Sequence, residues 1–428
     1  MPQQVSSHPQ APARRVGRAL DWLNFVLADV RDGLGPYLAV YLVAVRGPQQ
    51  GWNEASAGLV MTIAGVAGLL AQIPAGALID RTRHKRLLVI AAAVAVTLGC
   101  LALPFADGFA TVAATQALAG AAGAVFPPAI AALTLGLVGP RRFSRRVGRN
   151  EACNHAGNAA SAALAAATAV VFGPVVVFWI MAILAGLSIV ATLMIPPDAI
   201  DHVAARGLAH DAAGGGAGAP SGLRVLLANR ALLTFAVLVT VFHLANAAML
   251  PSVGQLLAHV VGKEDATSLV AGCIVAAQCV MVPVAAVVGA RADAWGRKPI
   301  LLAGFGVLAV RGLLYPVSDD PVWLMGVQLL DGVGAGIMGA LFPVVVADLT
   351  RGTGRFNVSQ GAIATAQGLG AALSTTLAGT IIVTFGYGDA FLTLGVIAVL
   401  GCLGTLFAMP ETREPVGAAA APGVTPAG

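Results

Sequence analysis

The chain has 428 residues, of which 57% are hydrophobic and only 11% charged, with a mean hydropathy of +0.83. A soluble domain carries about a quarter charged residues, so a water-facing globule is excluded and lipid is the solvent for most of this chain. The net charge of +5 invites a nucleic-acid reading, which the placement of the basic residues removes below.

Residues 1–19 form a polar tail with no short apolar core followed by a small-residue cleavage site, so no signal peptide is expected. Twelve apolar stretches then follow, each about as long as or longer than the roughly 20 residues that cross a bilayer: 20–45, 54–78, 87–106, 109–138, 151–172, 174–195, 231–257, 266–289, 299–317, 321–348, 358–384 and 390–409. Turn and charge chemistry separates them, as at Arg46-Gly47-Pro48, Asp107-Gly108 and Gly386-Tyr387-Gly388-Asp389. No alternating strand pattern of a barrel is present. The expected fold is therefore all-α and integral to the membrane, with twelve transmembrane helices.

Span one carries Asp29, Arg31 and Asp32, and Asp29 lies about 12 Å beyond Asp21 along the helix, near mid-membrane. Each charge at that depth costs on the order of 3 kcal/mol. Asp29 and Asp32 share a face that Gly33, Pro36 and Tyr37 continue, with Arg31 on one flank. Two readings stand: a proton-exchanging pair facing a wet cavity, where burial and mutual repulsion raise one carboxyl, or a static Asp–Arg–Asp cluster that orders the bundle.

Span two ends in Gly76-Ala-Leu-Ile-Asp80-Arg81-Thr82-Arg83-His84-Lys85-Arg86. Span five opens with Glu151, Asn154, His155 and Asn158 on one face. One Glu and one His are too few for a metal site, and the set reads as a polar gate or a contact between halves. Residues 199–222, rich in Gly and Ala, form a flexible linker after six spans. It divides a first bundle over 20–198 from a second over 223–410, before a disordered tail at 411–428. Span seven places His243 and Asn246 near the midplane, where His can titrate near neutrality or serve as a helix contact. Span eight ends in Gly289-Ala-Arg-Ala-Asp293-Ala-Trp-Gly296-Arg297-Lys298. Arg311 in span nine and Asp331 in span ten reach similar depth as a neutralising pair, and Gln360 and Gln367 mark one face of span eleven. Cys100, Cys153, Cys273, Cys279 and Cys402 lie in apolar stretches without metal spacing, so no metal or cofactor is expected.

Of the 25 basic residues, all but Arg31, Arg46, Lys263 and Arg311 fall on one side of this topology. By the positive-inside rule that side, with both termini, faces the cytoplasm. The positive balance is a topology signal and not a nucleic-acid footprint. The two Gly-x-x-x-Asp loops lie half a chain apart, and Gln116-Ala-Leu-Ala-Gly120 with Phe126-Pro127 is echoed by Gln328-Leu-Leu-Asp-Gly332 with Phe342-Pro343. Repeated halves are a mark of secondary transporters.

On these motifs the chain resembles the major facilitator superfamily over essentially its whole length. Gly76, Asp80, Arg81, Lys85 and Arg86 fit that family's G-x-x-x-D-R-x-G-R-R loop, with Arg83 where a glycine is usual. The second copy keeps Gly289, Asp293, Gly296 and Arg297 but has Ala294 for the basic residue. Span four has no charge and span five no internal G-x-x-x-G-P run, so the marks of the drug/proton antiporters are missing. The resemblance implies two six-helix pseudo-symmetric bundles and a central site lined by spans one, four, seven and ten. It also implies that Asp80 locks against the start of span eleven in one state and releases in the other. Span nine is implied to be peripheral, and Asp331 in span ten to approach the cavity. The expected protein is a monomeric inner-membrane carrier of a small organic solute, not an enzyme, working by alternating access. It is driven by a proton gradient, with export favoured over import of a polar metabolite or chelated metal. A membrane enzyme or receptor is the reading from another class, and no clustered catalytic set or signalling domain supports it.

Overall fold

The structure is a computed structural model and describes residues 10–32, 37–172, 175–208, 227 and 229–413. Long helices dominate the described residues, and ten of them are long and apolar enough to cross a membrane. The two expected spans outside that set are also helical. Span one runs Gln10–Asp32 and resumes as Tyr37–Val40 and a π-helical Tyr41–Arg46. Span five lies in a helix over Pro140–Phe172 that begins well before the apolar stretch. Span one carries four charges, Asp21, Asp29, Arg31 and Asp32, and span five is interrupted by the polar Glu151, Asn154, His155 and Asn158.

The other spans are Glu54–Arg81 (two), Lys85–Leu101 (three), Val176–Leu193 (six), Lys263–Trp295 (eight) and Arg297–Leu314 (nine). Pro321–Leu349 (ten), Phe356–Phe385 (eleven) and Tyr387–Ala408 (twelve) complete the uninterrupted ones. Spans four and seven are each built of two helical pieces, Gly108–Gly123 with Phe126–Val138 and Arg230–Asn246 with Met249–Val260. In span four the second piece starts at Phe126-Pro127-Pro128, where proline removes backbone donors and breaks the ladder. Gly296 joins spans eight and nine at φ 91°, a backbone shape that a side chain would strain. The expected ladder break at Gly33, Gly35 and Pro36, most of the 199–222 linker, Gly173-Pro174 and the tail from 414 lie outside the described residues.

Buried apolar side chains form two clusters, one through spans one to six and one through spans seven to twelve. Large apolar residues on the outer faces, such as Leu70, Val383 and Phe407, stay exposed, as a lipid-facing belt requires. The halves meet through glycine. A Cβ on Gly76 would overlap the Asn357 backbone, one on Gly361 the Gln72 backbone, and one on Gly148 the Gly289 backbone. These contacts join span two to span eleven and span five to span eight, in the portions nearest the basic loops. Without side chains in the way, the backbones pack closely there.

Candidate substrate cavity

A cavity of about 540 Å³ lies between the halves. Its polar wall brings together Glu151, Asn154, His155 and Asn158 from span five, Gln360 and Gln367 from span eleven, and His243 and Asn246 from span seven. Arg31 reaches it from span one. Spans two, five, eight and eleven therefore share the wall with spans one, four, seven and ten, because the halves close on the basic side and fold those helices under the cavity floor. Gln72, Thr134 and Asn150 line it as well. Sequence reasoning passed over them, although Asn150 stands one helical turn before Asn154 and so shares its face.

Hydrogen bonds hold several of these groups. His155 Nδ1 lies 2.7 Å from Gln278 Oε1 across the seam of the two halves. Asn150 Nδ2 donates to Thr134 Oγ1 at 2.8 Å and its Oδ1 accepts from Arg146 Nε at 2.7 Å. His243 Nδ1 sits 2.9 Å from the Val239 carbonyl. Among the described residues the buried His155 Nε2 and Gln72 Oε1 have no hydrogen-bond partner, so two cavity-lining side chains keep unmet hydrogen-bonding capacity. Arg31 and Gln72 also line a second cavity of about 370 Å³ inside the first bundle. A groove of about 630 Å³ at the ends of spans nine and ten, with Leu314, Val322 and Leu330, is apolar and away from the seam.

Span one differs from the expected orientation. Arg31, placed on a flank by the sequence reading, is on the cavity wall. Asp29 is half-buried, engaged in an interaction, and not on that wall. The reason is packing: Leu23, Val26, Leu27 and Val30 are buried in the first bundle's core, which fixes the rotation of the helix. Tyr37, expected to continue the cavity face, packs instead on Tyr41 and Phe178 of span six. The Asp32 side chain lies outside the described residues.

Arg311 and Asp331 form an ion pair of 2.7 Å, with Arg311 only 1% exposed. Arg311 also donates to Asn246 Oδ1 at 2.5 Å and Gln328 Oε1 at 2.8 Å, and Tyr315 donates to the same Gln328 oxygen. Spans seven, nine and ten are thus tied together, and Asp331 touches the cavity only through Asn246, which binds the same guanidinium. The geometry is that of the neutralising pair.

The loop motif is built as a clasp. Asp80, buried at the end of span two, accepts hydrogen bonds from Val358 N at 2.9 Å and Asn357 Nδ2 at 2.8 Å, in the first turn of span eleven. A carboxylate at a helix N-terminus satisfies orphan donors and the helix dipole. Lys85 Nζ caps the end of span two through the Ile79 and Thr82 carbonyls, and Arg86 reaches the Thr192 and Leu193 carbonyls of span six. Arg81 is exposed. In the second copy Asp293 accepts from Ser144 Oγ at 2.6 Å, near the start of the helix holding span five, and pairs with Arg297 at 2.8 Å. Each half therefore sets an aspartate against a helix start of the other.

Two helical halves around a polar cavity, closed on one side by reciprocal clasps, define a membrane carrier. The family model of the Major Facilitator Superfamily matches residues 22–290 and 235–426, and the chain belongs to that family. Two Mycobacterium tuberculosis proteins described as MFS-type transporters, from strains CDC 1551 / Oshkosh and H37Rv, are each 58% identical over 401 residues, 94% of either chain. Among solved structures, the proton:xylose symporter XylE bound to 6-bromo-6-deoxy-D-glucose shares the fold, with a TM-score of 0.74 at 13% identity over 95% of this chain and 98% of that one. The protein is a multi-pass membrane transporter and not an enzyme.

Proposed function

We propose that the protein is a proton-coupled secondary transporter that exports a small organic solute by alternating access, with its basic loops in the cytoplasm. The observation that carries this reading is the polar cavity at the seam, shut on the basic side by Asp80 and Asn357. A site between two rocking halves exchanges its contents with one side at a time. Support for an organic solute comes from the mixed wall: Phe242, Phe342, Met281 and Met338 stand beside the amides, and flexible, polarizable Met surfaces suit varied apolar shapes. An excreted compound with both apolar and polar faces fits such a wall, which is why we adopt export.

Proton coupling needs a carboxyl that gains and loses its proton as access changes. Glu151 is the acid on the cavity wall, and Asp29 lies at mid-depth two residues from Arg31. Proteoliposomes under an imposed pH gradient, screened against a compound panel, test the function. Glu151→Gln and Asp29→Asn, made separately, are expected to abolish gradient-driven accumulation in at least one case while solute exchange across the membrane continues. Full gradient-driven transport in both variants overturns the coupling role of these carboxyls.

A further inference from the structure

Outside the carrier site, a pocket of about 290 Å³ opens between the loop after span two and the loop after span six, on the basic side of the first bundle. Arg83, His84, Arg86 and His202 line it, and Leu87 and Leu193 form its apolar wall. Arg83 stands where the loop motif usually has glycine, so the chain places a charge at a position that the motif leaves uncharged. Leu87 is 60% exposed and Leu193 57% exposed, so the pocket opens toward the surface that spans three and six turn to lipid.

The second half shows what such a place accepts. There the Glu411 carboxylate receives the backbone N–H of Arg297 at 2.8 Å and of Lys298 at 3.2 Å, at the start of span nine. The offset that relates Gly76 to Gly289 relates Asp198 to Glu411. Asp198, however, is exposed and makes no such bond among the described residues, and no side chain caps the start of span three. Where the second half supplies its own anion, the first half presents basic side chains, and its His84 N–H donates to the neutral Thr82 Oγ1 at 3.0 Å. His202 adds an independent sign, because its buried Nδ1 has no hydrogen-bond partner among the described residues. Burial, with the Lys85, Arg83 and His84 charges, holds this imidazole below its ordinary range. Asp201 opposes that push while accepting from the Val203 and Ala204 N–H groups. A bound anion would relieve the excess positive charge.

We propose that this pocket binds the phosphate of an anionic phospholipid, held by the side chains of Arg83, His84 and His202, with acyl chains along Leu87 and Leu193. Basic pockets between spanning helices on the side of the positive loops hold lipid headgroups through such charge. The exposed leucines beside the charges favour a lipid over a soluble phosphate.

The test uses the purified full-length protein in nanodiscs of phosphatidylcholine alone or with phosphatidylglycerol. The wild type is expected to melt several degrees higher with phosphatidylglycerol. The Arg83→Gln/His202→Gln variant is expected to lose at least half of that shift, whereas Arg141→Gln, an exposed basic residue elsewhere on the same side, keeps it. Inorganic phosphate added to phosphatidylcholine nanodiscs is expected to give no shift. Equal melting in the two lipids, equal loss in the Arg141 variant, or a full shift from inorganic phosphate alone overturns the proposal. The readout is independent of transport.

Discussion

Arg311 shows how one charge is made tolerable in a membrane. Its guanidinium is buried among Asp331, Asn246, Gln328 and Tyr315, each within hydrogen-bond reach. Removing one partner of a buried pair leaves the other uncompensated, which costs about 3–5 kcal/mol. Arg311→Met is therefore expected to lower the melting temperature sharply, and Arg311→Met with Asp331→Leu to recover most of the loss; equal melting of single and double variants would refute the account. Glu411 illustrates a charge outside the membrane. Burial pushes its carboxyl up, but the N–H groups of Arg297, Arg413 and Lys298 outweigh it and hold the group below its ordinary 4.5. A depressed carboxyl stabilises the fold fully above its unfolded value and loses that contribution as pH falls through its folded value. The melting difference between wild type and Glu411→Gln is thus expected at pH 7 and to shrink toward zero in acid, as a pH series of melts would show.

At the scale of helices, glycine decides where the halves meet. Gly148 and Gly289 leave no room for a side chain between spans five and eight. Forcing one in costs about 1–3 kcal/mol, and each 1.4 kcal/mol moves an equilibrium tenfold. Gly148→Val is expected to open the basic side and to reduce transport at least tenfold in proteoliposomes. Gly186 in span six meets open space, so Gly186→Ala is expected to leave transport unchanged and to raise helix stability by roughly 0.5–1 kcal/mol. Broken helices have their own logic at this scale. Spans four and seven change course at Ala124 and Ala247, and the freed backbone lies next to cavity-lining Pro127 and Asn246, where irregular chain is tolerated because it borders a polar space.

Across the whole molecule, the clasps set the balance between states. Each hydrogen bond to the Asp80 carboxylate is worth about 1.5–3 kcal/mol, so Asp80→Ala is expected to favour the form open on the basic side by at least tenfold. A cysteine placed at Gln360 in a background free of native cysteines reports this directly, since maleimide added from the basic side reaches it only when the clasp is open. Unchanged labelling would remove the clasp from the mechanism. The clasp holds the two halves rather than either bundle, so melting is expected to move less than labelling.

What the sequence alone decided is the class of the protein. Apolar run lengths, the one-sided basic loops and the two Gly-x-x-x-Asp segments are local features, and the bilayer converts them into spans and repeats with little freedom left over. The polar face of Glu151, Asn154, His155 and Asn158 was legible for the same reason, since helical periodicity alone puts those residues together. The rotation of span one was not legible. Which of Asp29 or Arg31 meets the cavity depends on how Leu23, Leu27 and Val30 seat in the bundle core, a packing choice with no sequence period of its own. Gln72, Thr134, the engagement of Asp80 with Asn357 and the reach of Arg311 to Asn246 likewise depend on partners far away in the chain. Only the tertiary structure brings those partners within hydrogen-bond range.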